Sequence, residues 1–366
     1  MINKKLESML MQITPGTPLR DGIDNILDGG IGALIVVGID ETVEKMLDGG
    51  FVINCDYTPE RVFELAKMDG AIIVDDECKK ILYANVHLQV DRNYSSEESG
   101  TRHRTAQRAG KQTEKLVIAV SERKKVVSLY KGDIRYKLKN TSEITSEAAQ
   151  ALKTMERYRY VLDKSLANLT ILELDDIVTL YDVAQVLQRF EMMRRIDDEL
   201  KGYVVELGTE GRLMDLQLKD LEQDINEDME EFLSDYMSSD TNYEDVMSQI
   251  ANLTNIELLE IENFSSALGY RKSYSNLDNK ISPKGYRVLG KISKLTKKDI
   301  DKLINTYGEL ASIQDAPIEE LSDTKLSKLK IKAIKNGLKR LKYTGIGKID
   351  CRNIKLLEII IFSSFN

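Results

Sequence analysis

Two short stretches of the sequence hold side chains that could do chemistry together. Met68-Asp69-Gly70-Ala71 places a carboxylate and a glycine where a helical pattern gives way to an apolar run. The glycine permits a tight turn and close approach of a ligand. The end of a strand layer is also where α/β folds gather their ligands. Alone, an Asp-Gly pair between elements reads as a turn. The second stretch, Ser99-Gly100-Thr101-Arg102-His103-Arg104-Thr105, follows a polar loop and opens a predicted helix. Free helix N-terminal amides, the hydroxyls of Thr101 and Thr105 and two guanidinium groups make an anion site, because arginine pairs with phosphate through two parallel hydrogen bonds. Arginines in a first turn oppose the helix dipole, a cost that a bound anion would offset; the plain alternative is a solvated basic turn. Together the stretches supply what metal-assisted phosphoryl or nucleotidyl transfer needs. Asp69 would hold a divalent cation, and Arg102, His103 and Arg104 would neutralise phosphate charge.

Other chemistries lack their residues. Cys55, Cys78 and Cys351 are odd in number and have no CxxC spacing, which argues against a disulfide framework or a zinc site. Two histidines, His87 and His103, cannot build a multi-histidine metal cage. No G-x-S-x-G elbow accompanies a hydrolase triad and no G-x-x-x-x-G-K-[ST] phosphate loop occurs. Gly29-Gly30-Ile31-Gly32 precedes a strand instead of following one, which makes it a poor dinucleotide fingerprint.

The elements that must position these residues are legible in outline. Residues 1 to about 140 read as α/β, with an apolar strand at 32–38 and a helical stretch at 41–47. Thr58-Pro59 starts a helix over 59–68 that turns Val62, Phe63, Leu65 and Ala66 toward a core. Strands follow at 71–74, 81–88, 116–120, 126–130 and 134–139, a pattern that predicts a mixed sheet covered on both faces. From about 142 to 268 the apolar period becomes 3.6, with one stripe through Tyr158, Val161, Leu162, Leu166 and Leu169 and another through Ile177, Leu180, Val183, Ala184 and Leu187. Met192 and Met193 read as core. His87 reads as structural. Short lysine-rich helices are expected at 297–307, 318–321 and 328–341.

The chain has 366 residues, and its net charge of -8 is unevenly spread. From Lys280 to Asn366 there are 19 Lys/Arg against nine Asp/Glu, or +10, and the remainder carries -18. The stretch 215–262 holds 15 Asp/Glu and Lys219 as its one base, the solvated face of long helices. A basic tail on an acidic body invites a nucleic-acid partner. The longest apolar run, 356–362, is far shorter than the roughly 18 residues that span a bilayer. With no apolar signal core at the N-terminus, a cytoplasmic protein is expected.

Pro15-Gly16-Thr17-Pro18-Leu19-Arg20, Gly32-Ala33-Leu34-Ile35-Val36-Val37-Gly38, Asp69-Gly70-Ala71 and Gly100-Thr101-Arg102-His103-Arg104-Thr105 together resemble the diadenylate cyclases. The resemblance continues through Tyr203-Val204-Val205-Glu206-Leu207-Gly208 and Ser282-Pro283-Lys284-Gly285-Tyr286-Arg287, and so covers nearly the whole chain. It implies an α/β cyclase domain over 1–140, an all-α spine over 141–285 and a helix-hairpin-helix-like module over 286–366. It further implies joining of two ATP into cyclic di-AMP with release of two pyrophosphates, with Mg²⁺ or Mn²⁺, at a site shared by two cyclase domains meeting face to face. The matching branch of the family assembles as octamers and binds branched DNA without sequence specificity. By position, Asp69 would bind metal and promote attack of a ribose 3′-hydroxyl on the partner nucleotide's α-phosphate. Gly70, Leu88, Thr101, Arg102, His103, Arg104 and Thr105 would line the ATP pocket, with Ser121 a further contact. Read from the residues alone, Leu88 is an ordinary strand residue.

The resemblance thins in the tail. Phosphate-gripping hairpins need glycines, whose positive φ lets consecutive amides point at one phosphate. The stretch 323–329, where the second hairpin should fall, has none, and a Gly345-Ile346-Gly347-Lys348 turn lies about 20 residues downstream. The competing reading is a non-catalytic branched-DNA-binding scaffold. A hydrolase or monomeric nucleotidyl transferase with the same phosphate grip is a third.

Overall fold

Period-two alternation sorts the N-terminal strands into two cores. The computed structural model describes residues 4–343. Its first part runs α1 (Lys4–Met11), α2 (Pro18–Asp28), β1 (Ala33–Val37), α3 (Glu41–Glu44), β2 (Leu47–Asp48), β3 (Phe51–Asp56), α4 (Pro59–Ala66), β4 (Ala71–Val74), β5 (Lys80–Leu88), α5 (Thr101–Thr113), β6 (Leu116–Ser121), β7 (Val126–Lys131) and β8 (Ile134–Leu138). Ala33, Ile35 and Val37 of β1 join Ile72, Val74, Ile118 and Val120 in a core closed by Leu19, Ile23, Ile26 and Val62 from α2 and α4. Their neighbours Leu34, Val36, Ala71, Ile73, Val117 and Ala119 point to the opposite face, where Ala106 and Ala109 of α5 cover them.

The sheet order is β2-β5-β4-β1-β6-β7-β8, with β3 also paired to β5. β1 and β4 are parallel and the other pairings are antiparallel. The expected mixed sheet flanked by helices is therefore present, and its six expected strands fall within one residue of their predicted bounds. The helix expected over 41–47 stops at Glu44, and Leu47 and Asp48 pair with Leu88 and His87 instead. β3 escaped the sequence reading because it is an edge strand: Phe51 and Val52 are exposed, so no buried alternation marks it. The helices α1 and α2 were likewise not foreseen.

The helical remainder comprises α6 (Thr141–Leu174), α7 (Leu180–Leu207), α8 (Arg212–Glu222), α9 (Ile225–Tyr236), α10 (Tyr243–Ala251), α11 (Ile261–Ala267), α12 (Tyr286–Gly290), α13 (Lys297–Tyr307), α14 (Leu310–Asp315) and α15 (Ile318–Asp323), then a helix over 328–343. The chain forms two compact units. One holds the residues up to Leu152 with Asp198–Gln217, the other Lys153–Asp197 with the chain from Leu218 onward. Leu162, Leu166, Leu169, Val183, Ala184, Leu187 and Met193 are buried as their stripes predict, whereas Ile177 lies exposed in the turn between α6 and α7.

In the second unit, the Ser282–Arg287 motif locks α12 in place. The Asp235 carboxylate accepts the backbone N–H groups of Gly285 and Tyr286 at 2.6 Å and of Arg287 at 3.0 Å. Gly285 reaches this position with φ +116°. Arg287 and Glu173 form a fully buried ion pair, and Arg287 also donates to Thr170 Oγ1 at 3.0 Å and to the Leu166 carbonyl at 3.2 Å. No helix among the described residues is long and apolar enough to cross a membrane. The turn at 345–348 and the apolar run at 356–362 lie outside the described residues.

Candidate active site

The site begins at the amino end of α5. Gly100 is the N-cap, extended at φ -85° and without a side chain to bond the first amides. The helix is seated by Gly110, where a Cβ would stand 3.0 Å from Tyr130 Cβ and 3.1 Å from its backbone. The loop before it is clasped by the helix: Gln107 Oε1 accepts from Ser96 Oγ at 2.5 Å and Glu97 N–H at 3.0 Å, and Arg108 Nε donates to the Tyr94 carbonyl at 3.0 Å. Arg104 belongs to this clasp, donating to the Glu98 and Ser99 carbonyls at 3.3 and 3.2 Å.

A cleft of about 790 Å³ opens at this helix end. Thr101, Arg102 and His103 line it together with Ser121, as the sequence suggested. Five cationic side chains reach it, Arg102, Arg123, Lys124, Arg135 and Lys137, against the carboxylates Glu98 and Glu122. Arg123, Lys124, Arg135, Lys137 and Glu98 were missed by the sequence reading. Two signals could have found the cations: the basic run in the tight β6–β7 turn, and the alternation in β8 that sends Arg135 and Lys137 to one face. Glu98 orients that wall. It accepts from Tyr130 Oη at 2.8 Å and pairs with Arg135 Nε at 2.7 Å. Burial pushes the half-buried His103 imidazole below its ordinary value; Glu98 pulls it up, and Arg102, Lys124 and Arg135 push it further down. A neutral His103 leaves the arginines and lysines as the cleft's positive charge at neutral pH.

Sheet register orders the strand ends beside this cleft. Ala33 pairs with Val120, Leu34 with Ala71, and Ala71 with Val86. Extending the β1–β6 ladder by one residue sets Gly32 opposite Ser121, and Leu88 closes β5. Alternation puts Gly32 and Ser121 on the face α5 covers, and Leu88 packs against the core of that face. Gly32 lies beneath the Arg102 guanidinium, which a Cβ at that position would strike. Asp69 is exposed in the turn between α4 and β4. Gly70 fixes that turn: its φ is +97°, and a Cβ would come within 2.8 Å of the Asn85 carbonyl carbon and 2.9 Å of Val86 N. Leu88 is half-buried against the core under α5. Asp69 stands at the amino end of the parallel pair β1/β4, not at the carboxyl end where ligands of parallel sheets collect. The antiparallel β5 and β6 end there, so the general rule gives no guidance in this sheet.

Asp69, Gly70, Leu88, Arg104 and Thr105 do not line the cleft: Arg104 and Thr105 lie in the first turn of α5, Leu88 packs under it, and Asp69 and Gly70 form the turn before β4. Among the described residues no group of three or more His, Cys, Asp or Glu is placed to enclose a metal ion. A lone exposed carboxylate fits Mg²⁺ or Mn²⁺ only when substrate phosphates and water complete the shell, the usual arrangement for Mg²⁺.

Comparison with known proteins gives the family. Family models match for the DisA bacterial checkpoint controller nucleotide-binding region over residues 20–134 and for the DisA bacterial checkpoint controller linker region over residues 138–277. The chain is similar to the DNA integrity scanning protein DisA of Fusobacterium nucleatum, with 56% identity over 344 residues, 94% of this chain and 99% of that protein. It is similar to the DisA of Carboxydothermus hydrogenoformans at 45% identity over 345 residues, 93% of this chain and 98% of the relative. Among solved structures, DacA from Staphylococcus aureus aligns with a TM-score of 0.30 and 20% identity, covering 40% of this chain and 97% of that one.

Proposed function

The chain belongs to the DisA family and is on that ground a diadenylate cyclase; we propose that it condenses two ATP into cyclic di-AMP at a site shared between two subunits, under the influence of a DNA-binding tail. One observation carries the reading. The Arg102 guanidinium lies over Gly32 at the amino end of α5, in a cationic cleft that Thr101, His103 and Ser121 also line. Thr101, Arg102 and the helix amides would take the triphosphate, and Arg135 and Lys137 would face it from β8. His103, neutral, would donate or accept a hydrogen bond without adding charge.

Each 3′-hydroxyl oxygen forms a bond to the α-phosphorus of the other nucleotide. The bond from that phosphorus to the bridging oxygen breaks, and pyrophosphate leaves with the bond's electrons. Two such steps give one cyclic di-AMP, two pyrophosphates and two protons. Asp69 would hold Mg²⁺ or Mn²⁺ near the attacking hydroxyl, which when bound lowers the hydroxyl's pKa and offsets charge on phosphate. Asp69 is exposed and outside the cleft, which supports a site completed by a second copy.

The tail reading rests on charge. Lys294, Lys297, Lys298, Lys302, Lys325, Lys328, Lys332 and Lys339 are exposed around a core that includes Val288, Leu303, Ile313, Leu321 and Ile334. At the turn before the last described helix, Lys325 takes φ +58°, the left-handed conformation that a hairpin glycine would otherwise supply. This supports a helix-hairpin-helix-like grip on branched DNA despite the missing glycine.

The deciding experiment is incubation of the full-length protein with ATP and Mn²⁺. Cyclic di-AMP and two equivalents of pyrophosphate per product are expected, with Asp69→Asn losing turnover by more than about a thousandfold while still binding ATP. A linear dinucleotide, or DNA binding with no turnover, would favour the scaffold or monomeric-transferase readings.

A further inference from the structure

The cleft's outer wall is β8, the last strand of the sheet, which has a hydrogen-bonding neighbour on one side only. Arg135 and Lys137 pair with Tyr130 and Ser128 of β7 and present their charges to the cleft. The residue between them, Tyr136, also borders the cleft, but its side chain packs against the core behind the sheet and its hydroxyl donates to Glu206 Oε1 at 2.6 Å. Glu206 lies in the last turn of α7, within the segment Asp198–Gln217 that belongs to the same compact unit as the sheet. That turn is itself fastened. Gly208, at φ +53°, sits against Thr14, and Thr209 Oγ1 donates to the Pro15 carbonyl at 3.1 Å. Lys139, just past β8, pairs with Glu147 of α6 at 2.6 Å.

We infer that Glu206 is a positioning residue of the nucleotide site, acting through Tyr136 to hold β8 so that Arg135 and Lys137 stay aimed at the triphosphate. The segment Tyr203–Gly208 thereby gains a role that the cleft itself does not reveal. An edge strand is held by a ladder on one side only, so a shift of β8 would move both of its cations together. The Tyr136–Glu206 bond is short, part-buried and charge-assisted, which makes it stronger than a neutral hydrogen bond. Glu206 Oε2 is buried and has no hydrogen-bond partner among the described residues, so the carboxylate's anchoring rests on the Tyr136 side. Burial, then the bond to Glu206, raises the Tyr136 phenol well above its ordinary value, so it stays a donor throughout the working range.

The inference rests on the cleft being the ATP site, so its test separates binding from turnover. Affinity of the full-length protein for 3′-deoxy-ATP, which lacks the attacking hydroxyl, is measured by calorimetry. Tyr136→Phe and Glu206→Leu should each weaken it about tenfold, the double variant no more than either single one, and Glu206→Gln should stay within about threefold because its amide oxygen still accepts. Tyr136→Phe removes one oxygen atom, so it reports even if Glu206→Leu fails to fold. Unchanged affinity in Tyr136→Phe, or additive losses in the double variant, would overturn the inference. A parent that binds 3′-deoxy-ATP but forms no cyclic di-AMP from ATP would overturn the cyclase reading and leave the positioning result standing. No binding by the parent would overturn both.

Discussion

At the scale of single residues, glycines decide where the charged groups can stand. Arg102 occupies the space above residue 32 that any side chain would fill. Gly32→Ala should therefore displace the guanidinium, raising KM for ATP about tenfold or more while the fold, read by circular dichroism, is kept; an unchanged KM would show that Arg102 works elsewhere. His103 makes a pH statement. Its folded pKa lies below the ordinary 6.5, burial being the main cause. As pH falls, the unfolded chain takes up the proton first, so the contribution to stability is present above 6.5 and is lost as pH drops through the depressed folded value. In urea titrations, His103→Asn should lose stability less steeply than the parent between pH 7 and 5; parallel profiles would exclude this account. Asp69 and the Arg102-His103 pair were readable as residue types. Arg104 was readable as a cation, but its donation to the Glu98 and Ser99 carbonyls was not, because a side chain's partner depends on how the loop folds back.

At the scale of elements, the sheet does the positioning. Strands β1, β4 and β6 were legible because unbroken runs of Val, Ile and Leu mark strands buried on both faces. β3 was not, since an edge strand buries too little to leave a pattern. Caps behave similarly. Thr17 accepts from Arg20 N–H and Thr58 from Arg61 N–H, each before a proline in the first turn, a signature visible in sequence at both places. Asp235 capping α12 from another helix was invisible, because no local spacing announces a contact between residues 50 apart. The glycine-free turn in the tail gives a prediction here. A left-handed non-glycine residue costs on the order of 1 kcal/mol, so Lys325→Gly should raise the urea midpoint of the second unit. A lower midpoint would mean that the lysine side chain contributes packing that outweighs the strain.

At the scale of the whole chain, charge is divided between segments. The -8 total averages an acidic body with a +10 tail and describes neither. If the tail grips DNA by phosphate charge, affinity for a branched duplex should fall linearly in log–log with salt, by about tenfold or more between 50 and 200 mM. Salt-independent affinity would point instead to shape or base contacts. Lys325→Gly should lower that slope, since it removes a cation. In the same unit, the Arg287–Glu173 pair is buried at both ends and satisfied by Thr170 and Tyr236. Its charges therefore belong to the fold and not to a ligand, although the sequence of Ser282–Arg287 resembles the family.

The sequence by itself determined the chemistry on offer: a carboxylate beside a glycine, an Arg-His-Arg run at a helix start, the strands between them, and a basic tail. These follow from local rules, since propensity, caps and periodicity act over a few residues. Only the tertiary structure decided that Ser121 stands across from Gly32 beneath Arg102, that β8 completes the cationic wall, and that Glu206 braces it from behind. Those contacts join residues up to 89 positions apart. Pairing of strands distant in sequence is set by how two cores close on opposite faces of one sheet, and no short window of residues contains that information.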